Sequence, residues 1–248
     1  MNSTVTINKQ NKEVIYLEIN NPPVNALSLS LVEELNKAIR SISSDTRLVI
    51  FKGIGKGFCA GADLKERLEM SDEETIETVD KYCELFRKIE DLACPTIALL
   101  HGFVLGGGLE LALSCDFRFA MKDCILGFPE TSIGIIPGAG GTQRLTRLIG
   151  YSKSKKWIFT AKKFRAQEAL LDNVIDQLFD TYNLMSNYTI DNFLPAILQN
   201  CNIAVSAAKK AINAFDSNTD SGYEAERIEY LKTLNSDIRK KSLKRYQK

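Results

Sequence analysis

Two glutamates that border glycine-rich segments are the residues of this chain whose type and position could do chemistry. Glu110 follows three consecutive glycines, and Glu130 lies 20 residues later, ahead of a second glycine-rich segment. Two carboxyl groups at one site can share acid and base work on a water molecule, and the hydrolysis of glycosidic bonds needs such a pair as well. A glycosidase would be expected to carry aromatic platforms for sugars, but the single tryptophan, Trp157, lies away from both glutamates in the sequence. Spacing alone leaves both kinds of reaction open.

Two turns of small residues could bind the oxygen atom of a reacting group. The first is residues 58–63, Phe-Cys-Ala-Gly-Ala-Asp, and the second is Gly106-Gly107-Gly108 at the start of an apolar helix. Small residues let a ligand approach the backbone, and the first N–H groups of a helix have no partner within it. Two such N–H groups on one point would form an oxyanion hole. A glycine cluster before a helix is also a common tight turn, and it fits neither the dinucleotide-binding nor the P-loop pattern.

Alternating strands and helices must position these two turns. Runs of β-forming residues predict strands at 5–8, 14–19, 48–51, 96–100 and 117–120. Apolar residues at three- and four-residue spacing predict a helix over 29–42, and the run from Ser71 to Glu74 predicts a capping box for a helix that ends near residue 92. This alternation predicts an α/β fold with helices packed on sheets.

The chain changes character after Asp180, where helical periodicity replaces strand candidates. A face of small side chains runs along 204–212, and 223–234 predicts a further amphipathic helix. This end carries more apolar surface than one terminal segment can bury alone. We therefore expect it to pack against the core or against another subunit.

Composition and charge exclude several classes of protein. With 44% hydrophobic and 25% charged residues, the 248-residue chain has the proportions of a soluble globular protein. Its formal net charge of +1 gives no electrostatic reason to expect a nucleic acid or an anionic membrane as partner, although segment 238–248 is locally basic. No apolar stretch reaches the length of about 18 residues that a membrane span needs.

The cysteines and the histidine bear on the cellular compartment and on whether a metal site is expected. The six cysteines are scattered without a Cys-x-x-Cys pair, and the N-terminus lacks the basic and apolar regions of a signal peptide. These features predict free thiols and a cytoplasmic protein. The only histidine, His101, excludes a histidine-rich metal site, and we expect no bound metal.

Four ordered motifs carry a resemblance to a known family. They are residues 21–27 (Asn-Pro-Pro-Val-Asn-Ala-Leu), 58–64 (Phe-Cys-Ala-Gly-Ala-Asp-Leu), 105–112 (Leu-Gly-Gly-Gly-Leu-Glu-Leu-Ala), and 128–130 continued by 134–145. With these motifs the chain resembles the crotonase, or enoyl-CoA hydratase/isomerase, superfamily over nearly its whole length. Segments 59–67 and 106–113 are most similar to the branch that contains the methylglutaconyl-CoA hydratases, some of which also bind AU-rich RNA.

The resemblance implies a particular α/β fold and assembly. Residues 1–192 would form a crotonase-like spiral of ββα units that contains the active site. Residues 193–248 would form a helical C-terminal trimerisation region, which gives a homotrimer or a hexamer built as a dimer of trimers.

The resemblance also assigns the reacting groups. The oxyanion-hole N–H groups would be those of Ala62 and Gly107, and the two glutamates of the hydratase members fall on Glu110 and Glu130. Glu110 as carboxylate would activate water for syn addition across an α,β-unsaturated thioester. Protonated Glu130 would deliver a proton to the α-carbon, and the two acids should titrate as a coupled pair with one pKa raised.

Further residues match positions that bind the acyl-CoA substrate in the family. These positions are Ala26, Lys56, Ala60, Asp63, Leu64, Lys65 and Gly138, with Gly138 beside the reacting water. Lys56 and Lys65 are equally well read as ordinary surface lysines, and we interpret His101 and Cys59 as structural. No cofactor is implied, because CoA is part of the substrate.

Two departures from the family pattern bear on these expectations. Asp172-Asn173 stands where the family usually has a glycine, and asparagine tolerates the left-handed backbone that a helix end needs. The usual family ending after Tyr246 is missing, and family residues near it close over CoA. The basic residues of segment 238–248 are candidates to take over this contact, and the effect of the missing ending on CoA binding stays open.

Three functional hypotheses follow from this sequence. The favoured one is an enoyl-CoA hydratase for a short or branched acyl group, because both glutamates and both turns are present. The second is an enoyl-CoA isomerase of the same superfamily, which would depend chiefly on Glu130. The third is a methylglutaconyl-CoA hydratase with secondary RNA binding, but the near-neutral charge and the lack of an RNA-reading motif argue against nucleic acid as the main partner.

Overall fold

The computed structural model describes residues 4–9, 13–215, 221–234 and 238–239, which fold as an α/β protein. Its strands are β1 (Val5–Lys9), β2 (Val14–Ile19), β3 (Leu48–Gly53), β4 (Thr96–Leu100), β5 (Phe103–Leu105), β6 (Phe117–Met121), β7 (Ile125–Gly127), β8 (Lys163–Arg165) and β9 (Gln177–Phe179). Its helices are α1 (Leu29–Arg40), α2 (Leu64–Glu69), α3 (Asp72–Glu90), α4 (Gly107–Leu113), α5 (Gly141–Phe159), α6 (Ala166–Leu171), α7 (Tyr182–Tyr188), α8 (Leu194–Leu198), α9 (Asn202–Asn213) and α10 (Ser221–Leu234). Across these ranges, every helix is too short or too polar to cross a membrane.

The strands form two sheets of different size. The large sheet has six strands in the order β1-β2-β3-β4-β6-β9, and the small sheet has three in the order β5-β7-β8. β1 runs antiparallel to β2, and the other pairings of the large sheet are parallel. Parallel neighbours need crossover connections that cover the sheet faces. The central strands β3 and β4 are accordingly mostly apolar, and all of their residues except Lys52 are buried.

The core lies on both faces of the large sheet, because successive residues of a strand point to opposite faces. Leu17 and Phe51 belong to the larger apolar cluster, together with side chains of α1, α3 and α4. Leu48 and Phe119 belong to a second cluster on the other face, which α7 and α8 cover. Every residue of α4 is buried, so the helix that carries Glu110 is held on all sides.

Helix ends carry the signals that the sequence predicts. The Ser71 hydroxyl accepts from the Glu74 N–H at 3.2 Å, and the Glu74 carboxylate accepts from the Ser71 N–H at 2.8 Å, which is the predicted capping box. Asn173 adopts the left-handed conformation with φ of 63°. The five predicted strands and the predicted helices over 29–42 and after Ser71 are confirmed, with small differences at their ends.

The C-terminal helices differ from the prediction in one respect. Helix α10 forms where an amphipathic helix is predicted, but none of its residues is buried, and Tyr223, Ile228 and Tyr230 are each more than half exposed. The expected one-sided apolar face is wrong, because Glu224 and Arg227 lie among the apolar residues of this helix. The division into 1–192 and 193–248 stays a prediction, and residues 240–248 of the basic segment lie outside the described residues.

Helix α9 is attached to the sheet by polar contacts. The buried Lys209 ammonium donates to Asp116 Oδ2 at 2.7 Å and to the Cys94 carbonyl at 3.1 Å. Asp116 Oδ2 also accepts from the backbone N–H of Thr96 at 2.7 Å. One turn further along α9, the Asn213 amide donates to the Glu90 carbonyl at 3.1 Å. These bonds hold α9 against the segment that precedes β4.

Replacing Lys209 with methionine should lower the free energy of unfolding by about 3 kcal/mol, because Asp116 loses the cation that balances its partly buried charge. Urea unfolding at pH 7 followed by circular dichroism measures the change. Lys210→Met is the matched control, since Lys210 is the adjacent exposed lysine and should change stability by no more than about 0.5 kcal/mol. Equal effects of the two substitutions would show that the ion pair contributes nothing.

Candidate active site

The two turns of small residues meet backbone to backbone. Gly61 and Gly106 both have positive φ, 94° and 52°. A Cβ at Gly61 would lie 2.8 Å from the Leu105 carbonyl and 3.1 Å from the Gly107 nitrogen, and a Cβ at Gly107 would lie 3.6 Å from the Ala62 nitrogen. The Ala62 and Gly107 amides therefore lie close together.

Strand-like pairing orients the first of these amides. Leu27 forms a parallel bridge with Ala62, in which the Leu27 N–H donates to the Gly61 carbonyl at 2.8 Å and the Asp63 N–H donates to the Leu27 carbonyl at 3.4 Å. In a parallel bridge the central residue of the partner segment directs its own N–H away. Among the described residues, neither Ala62 nor Gly107 donates its N–H to a protein acceptor. Both amides are therefore free to bind an oxygen atom.

Glu110 lies in the first turn of α4, and its carboxylate is held by backbone donors. Oε1 accepts from the Ala139 N–H and from the Gly141 N–H, both at 2.8 Å. A Cβ at Gly141 would lie 2.8 Å from the same oxygen, so a glycine is needed there for the close approach. Burial raises the pKa of Glu110, and the two amides together with the Arg144 guanidinium oppose that rise.

Glu130 begins the 3₁₀ turn Glu130–Ile133 and meets a different environment. A Cβ at Gly106 would lie 2.8 Å from Glu130 Oε1, which places this carboxyl group against the turn that presents the Gly107 amide. Within the described residues, Oε2 is buried without a hydrogen-bond partner. Burial raises the pKa of Glu130 to about 7, and the Glu110 charge contributes in the same direction. Near neutral pH, Glu130 can therefore hold a proton.

Both carboxyl groups and both amides face one cavity of about 680 Å³. Its wall is otherwise largely apolar and comprises Leu64, Val79, Tyr82, Pro129, Ile133, Ile135 and Ile136 among others. Of the predicted site residues, the structure brings together Ala60, Ala62, Leu64, Gly107, Glu110, Glu130 and Gly138. This volume and lining are those of a site for a small, mostly apolar group that reacts near a few polar atoms.

Four predicted substrate-binding residues lie outside the cavity wall. Asp63 caps helix α2, with Oδ1 accepting from the Lys65 N–H at 2.9 Å. The Ala26 carbonyl accepts from the Asn21 side chain at 2.8 Å. Lys56 and Lys65 are exposed on the surface. Their predicted contacts with CoA remain predictions.

The sequence reasoning missed three side chains of this region. Arg67 lines the cavity, donates to the Thr75 carbonyl at 3.0 Å and lies over the Tyr82 ring. Tyr82 donates to the Leu27 carbonyl behind the Ala62 turn. Arg144 contacts the segment that binds Glu110. Arg67 lies one helical turn after Asp63, and Arg144 one turn after Gly140, so helical spacing from the motifs was the available signal.

The remaining candidates behave as packing residues. Cys59 is fully buried, and burial raises the pKa of its thiol to about 12, which removes it as a nucleophile at neutral pH. His101 Nε2 lies 3.1 Å from the Gly55 carbonyl, and its ring meets Tyr182 edge-on. The described residues contain no cluster of three His, Cys, Asp or Glu side chains that could hold a metal ion.

Comparison with known proteins decides the family. A family model described as enoyl-CoA hydratase/isomerase matches residues 9–248. The chain belongs to the enoyl-CoA hydratase/isomerase family. The short-chain-enoyl-CoA hydratase of Clostridium acetobutylicum is 38% identical over 231 residues, which are 90% of this chain and 87% of that protein. The mitochondrial methylglutaconyl-CoA hydratase of Homo sapiens is 43% identical over 179 residues, which are 69% of this chain and 53% of that protein.

Solved structures agree with this enoyl-CoA hydratase/isomerase assignment. The crystal structure of an enoyl-CoA hydratase from Bacillus anthracis matches with a TM-score of 0.92 at 36% identity, over 98% of this chain and 96% of that chain. The predicted resemblance to the crotonase superfamily and the predicted crotonase-type α/β fold are therefore confirmed.

Glu130 should make the stability of this family member depend on pH. Because its pKa rises from 4.5 to about 7 on folding, its stabilising contribution is fully present below pH 4.5 and is lost as the pH rises to 7. Glu130→Gln removes this titration. Relative to that of wild type, the free energy of unfolding of the variant should therefore increase by about 1–3 kcal/mol between pH 5 and pH 8.

Thermal unfolding at both pH values tests this expectation. Glu69→Gln is the control, because Glu69 is an exposed carboxylate on α2 and should show no such gain. A difference between Glu130→Gln and wild type that is the same at pH 5 and pH 8 would contradict the assignment of the raised pKa.

Proposed function

We propose that this enzyme is an enoyl-CoA hydratase that adds water syn across the α,β double bond of a short or branched acyl-CoA thioester. The observation that carries the proposal is the unequal pair of carboxyl groups. Glu110 receives two backbone N–H bonds, Glu130 has an oxygen without a partner among the described residues, and both face the cavity beside two free amides. Hydration needs one group that takes a proton and another that gives one.

The Ala62 and Gly107 amides would bind the thioester carbonyl oxygen. As a nucleophile attacks the β-carbon, the electron pair of the double bond moves toward this oxygen and forms an enolate. N–H donors that are already in place stabilise that charge without reorganisation, and the loss of one such donor typically costs about 10²–10³ in rate. The amides thereby make the β-carbon electrophilic enough for water.

The two glutamates would then carry the proton transfers. Glu110, ionised and held by the Ala139 and Gly141 amides, takes a proton from water as the water oxygen bonds to the β-carbon. Glu130, whose pKa lies near 7, gives its proton to the α-carbon of the enolate. One water molecule is consumed, and a proton must return from Glu110 to Glu130 before the next turnover.

The alternative of an enoyl-CoA isomerase uses the same fold and oxyanion hole. An isomerase moves one proton between carbon atoms of the substrate and needs no second group to activate water. The hydratase and isomerase hypotheses therefore differ in their dependence on Glu110. A hydratase needs both glutamates, whereas the isomerase would depend chiefly on Glu130.

Loss of the enoyl-thioester absorbance of crotonyl-CoA measures hydration directly. Glu110→Gln and Glu130→Gln should each lower kcat by at least about 10²-fold, the usual scale for general acid–base catalysis. Glu69→Gln, an exposed carboxylate of α2, should leave kcat unchanged. A fully active Glu110→Gln, or a folded wild type that shifts double bonds without adding water, would overturn the hydratase function.

Arg67 favours a second substrate candidate, methylglutaconyl-CoA. The acyl group of that thioester ends in a carboxylate, and Arg67 is the cation among the side chains that line the cavity. The Arg67 guanidinium donates to the Thr75 carbonyl and contacts Tyr82, and because a guanidinium has five N–H donors, donors remain for a carboxylate. A pocket with an arginine inside an apolar wall suits an acyl chain with one terminal charge.

Replacing Arg67 with methionine separates the two substrates. The specificity constant kcat/KM for 3-methylglutaconyl-CoA should fall by about 10- to 100-fold, the value of one charge-assisted hydrogen bond, whereas that for crotonyl-CoA should change little. Arg87→Met is the control, because Arg87 is an exposed arginine of α3 outside the cavity wall. Equal losses for both substrates would show that Arg67 supports the fold and does not bind the carboxylate of the acyl group.

The remaining parts of the proposal concern the rest of the substrate and the assembly. Lys56 and Lys65 are proposed contacts for CoA phosphates, and CoA enters as part of the substrate rather than as a cofactor. We also propose a homotrimer or a dimer of trimers in the cytoplasm. The exposed apolar side chains of α10, such as Tyr223 and Tyr230, support an assembly in which neighbouring subunits cover them.

A further inference from the structure

The segment 139–141 lies between two charged side chains. On one side, Glu110 Oε1 accepts from the Ala139 and Gly141 N–H groups. On the other side, Arg144 Nη1 donates to the Ala139 carbonyl at 3.0 Å. A Cβ at Gly140 would lie 2.3 Å from Arg144 Nη1. The segment is therefore in contact with the guanidinium behind it and with the carboxylate in front of it.

Arg144 is itself held by Glu90. Its Nε and Nη2 atoms both donate to Glu90 Oε2, at 3.0 and 2.8 Å. The Arg144 side chain is only 8% exposed, and that of Glu90 is 26% exposed. A buried guanidinium that leaves this position would lose a charged partner, which is costly. The pair joins the last turn of α3 to the first turn of α5, so segment 139–141 rests on a rigid support.

We propose that Arg144, held by Glu90, is a positioning residue for Glu110. By fixing segment 139–141, it keeps both N–H groups on Oε1 and leaves Oε2 as the oxygen available to the reacting water. The inference rests on the proposed hydratase function, because the geometry serves Glu110 as a base. Arg144 does not line the cavity, so it acts on Glu110 through segment 139–141 and through its charge, without contacting the substrate.

The ionisable groups that face Glu110 come from three elements. Arg144 comes from α5, Glu130 from the 3₁₀ turn, and the Cys83 thiol from α3, where it donates to the Gly138 carbonyl at 3.3 Å. Burial raises the pKa of Glu110, whereas the amides and Arg144 lower it. Loss of Arg144 removes its charge and loosens the two N–H donors. Both changes raise the pKa of the base.

Arg144→Gln tests the proposal with a pattern that a general loss of structure would not produce. With crotonyl-CoA, kcat should fall by about 10- to 100-fold, the scale of a small misplacement of a catalytic group. KM should change by less than about threefold, because the substrate contacts remain. The acid limb of the pH profile of kcat should move to higher pH. The pKa of Glu110, measured by ¹³C NMR of labelled glutamate and assigned with Glu110→Gln, should rise as well.

Arg147→Gln is the matched control. Arg147 contacts the other oxygen of the same Glu90 carboxylate at 3.3 Å, but its side chain is 55% exposed, and it has no described contact with segment 139–141. The control also removes one positive charge near Glu90. It should leave kcat, the pH profile and the pKa of Glu110 unchanged.

The outcomes separate this inference from the proposed function. If wild type hydrates crotonyl-CoA and Arg144→Gln equals Arg147→Gln in kcat and in the pKa of Glu110, the positioning role is wrong and the hydratase function stands. If wild type shows no hydration but Arg144→Gln alone raises the pKa of Glu110, the positioning role stands without that function. Should Arg144→Gln fail to fold, Arg144→Lys takes its place. Lysine keeps the positive charge but cannot donate to Glu90 Oε2 from two nitrogen atoms as arginine does. A lower kcat at constant KM supports positioning, and a wild-type kcat overturns it.

Discussion

Backbone packed directly on backbone is the constraint on which the whole site depends. At Gly61 and Gly106 the chain turns where a side chain would strike its neighbour, so two N–H groups meet in a space that side chains fill elsewhere. The same lack of a side chain at Gly141 lets a carboxylate reach two amides. The buried strands and helix α4 hold these segments together, and a fold with larger residues at these positions could not present the same donors.

The Glu110 and Glu130 carboxyl groups differ in the hydrogen-bond donors that surround them. Glu110 and Glu130 are both buried, and burial raises the pKa of each. Glu110 finds two amides and a nearby guanidinium that stabilise its charge, whereas Glu130 has an oxygen with no partner in the described part of the chain. In a site of low dielectric such differences separate an acid from a base. In the proposed function, backbone donors rather than residue type would assign the two roles.

Local patterns predicted the parts of this structure that depend on neighbours in sequence. Runs of β-forming residues located the central strands, and the spacing of Ser71 and Glu74 located a helix start. The motifs brought Ala62, Gly107, Glu110 and Glu130 to one cavity. The motif did not predict that the Asp63 carboxylate caps its own helix, because a helix-capping aspartate and a substrate-binding aspartate look the same in the sequence. It also gave no sign of the contacts between Glu90 and Arg144, which lie 54 residues apart and meet only through tertiary packing.

The hydrogen bond from Asn213 to the Glu90 carbonyl connects α9 to the Glu90–Arg144 pair that supports segment 139–141. Glu90 thus binds α9 through its backbone and Arg144 through its carboxylate. Free energy that is coupled between two places acts in both directions. A change in the position of α9 would therefore affect the Glu110 carboxylate, and ordering of that carboxylate would in turn stabilise the position of α9. In the proposed assembly and function, subunit contacts made by α9 and proton transfer at Glu110 would therefore belong to one thermodynamic linkage.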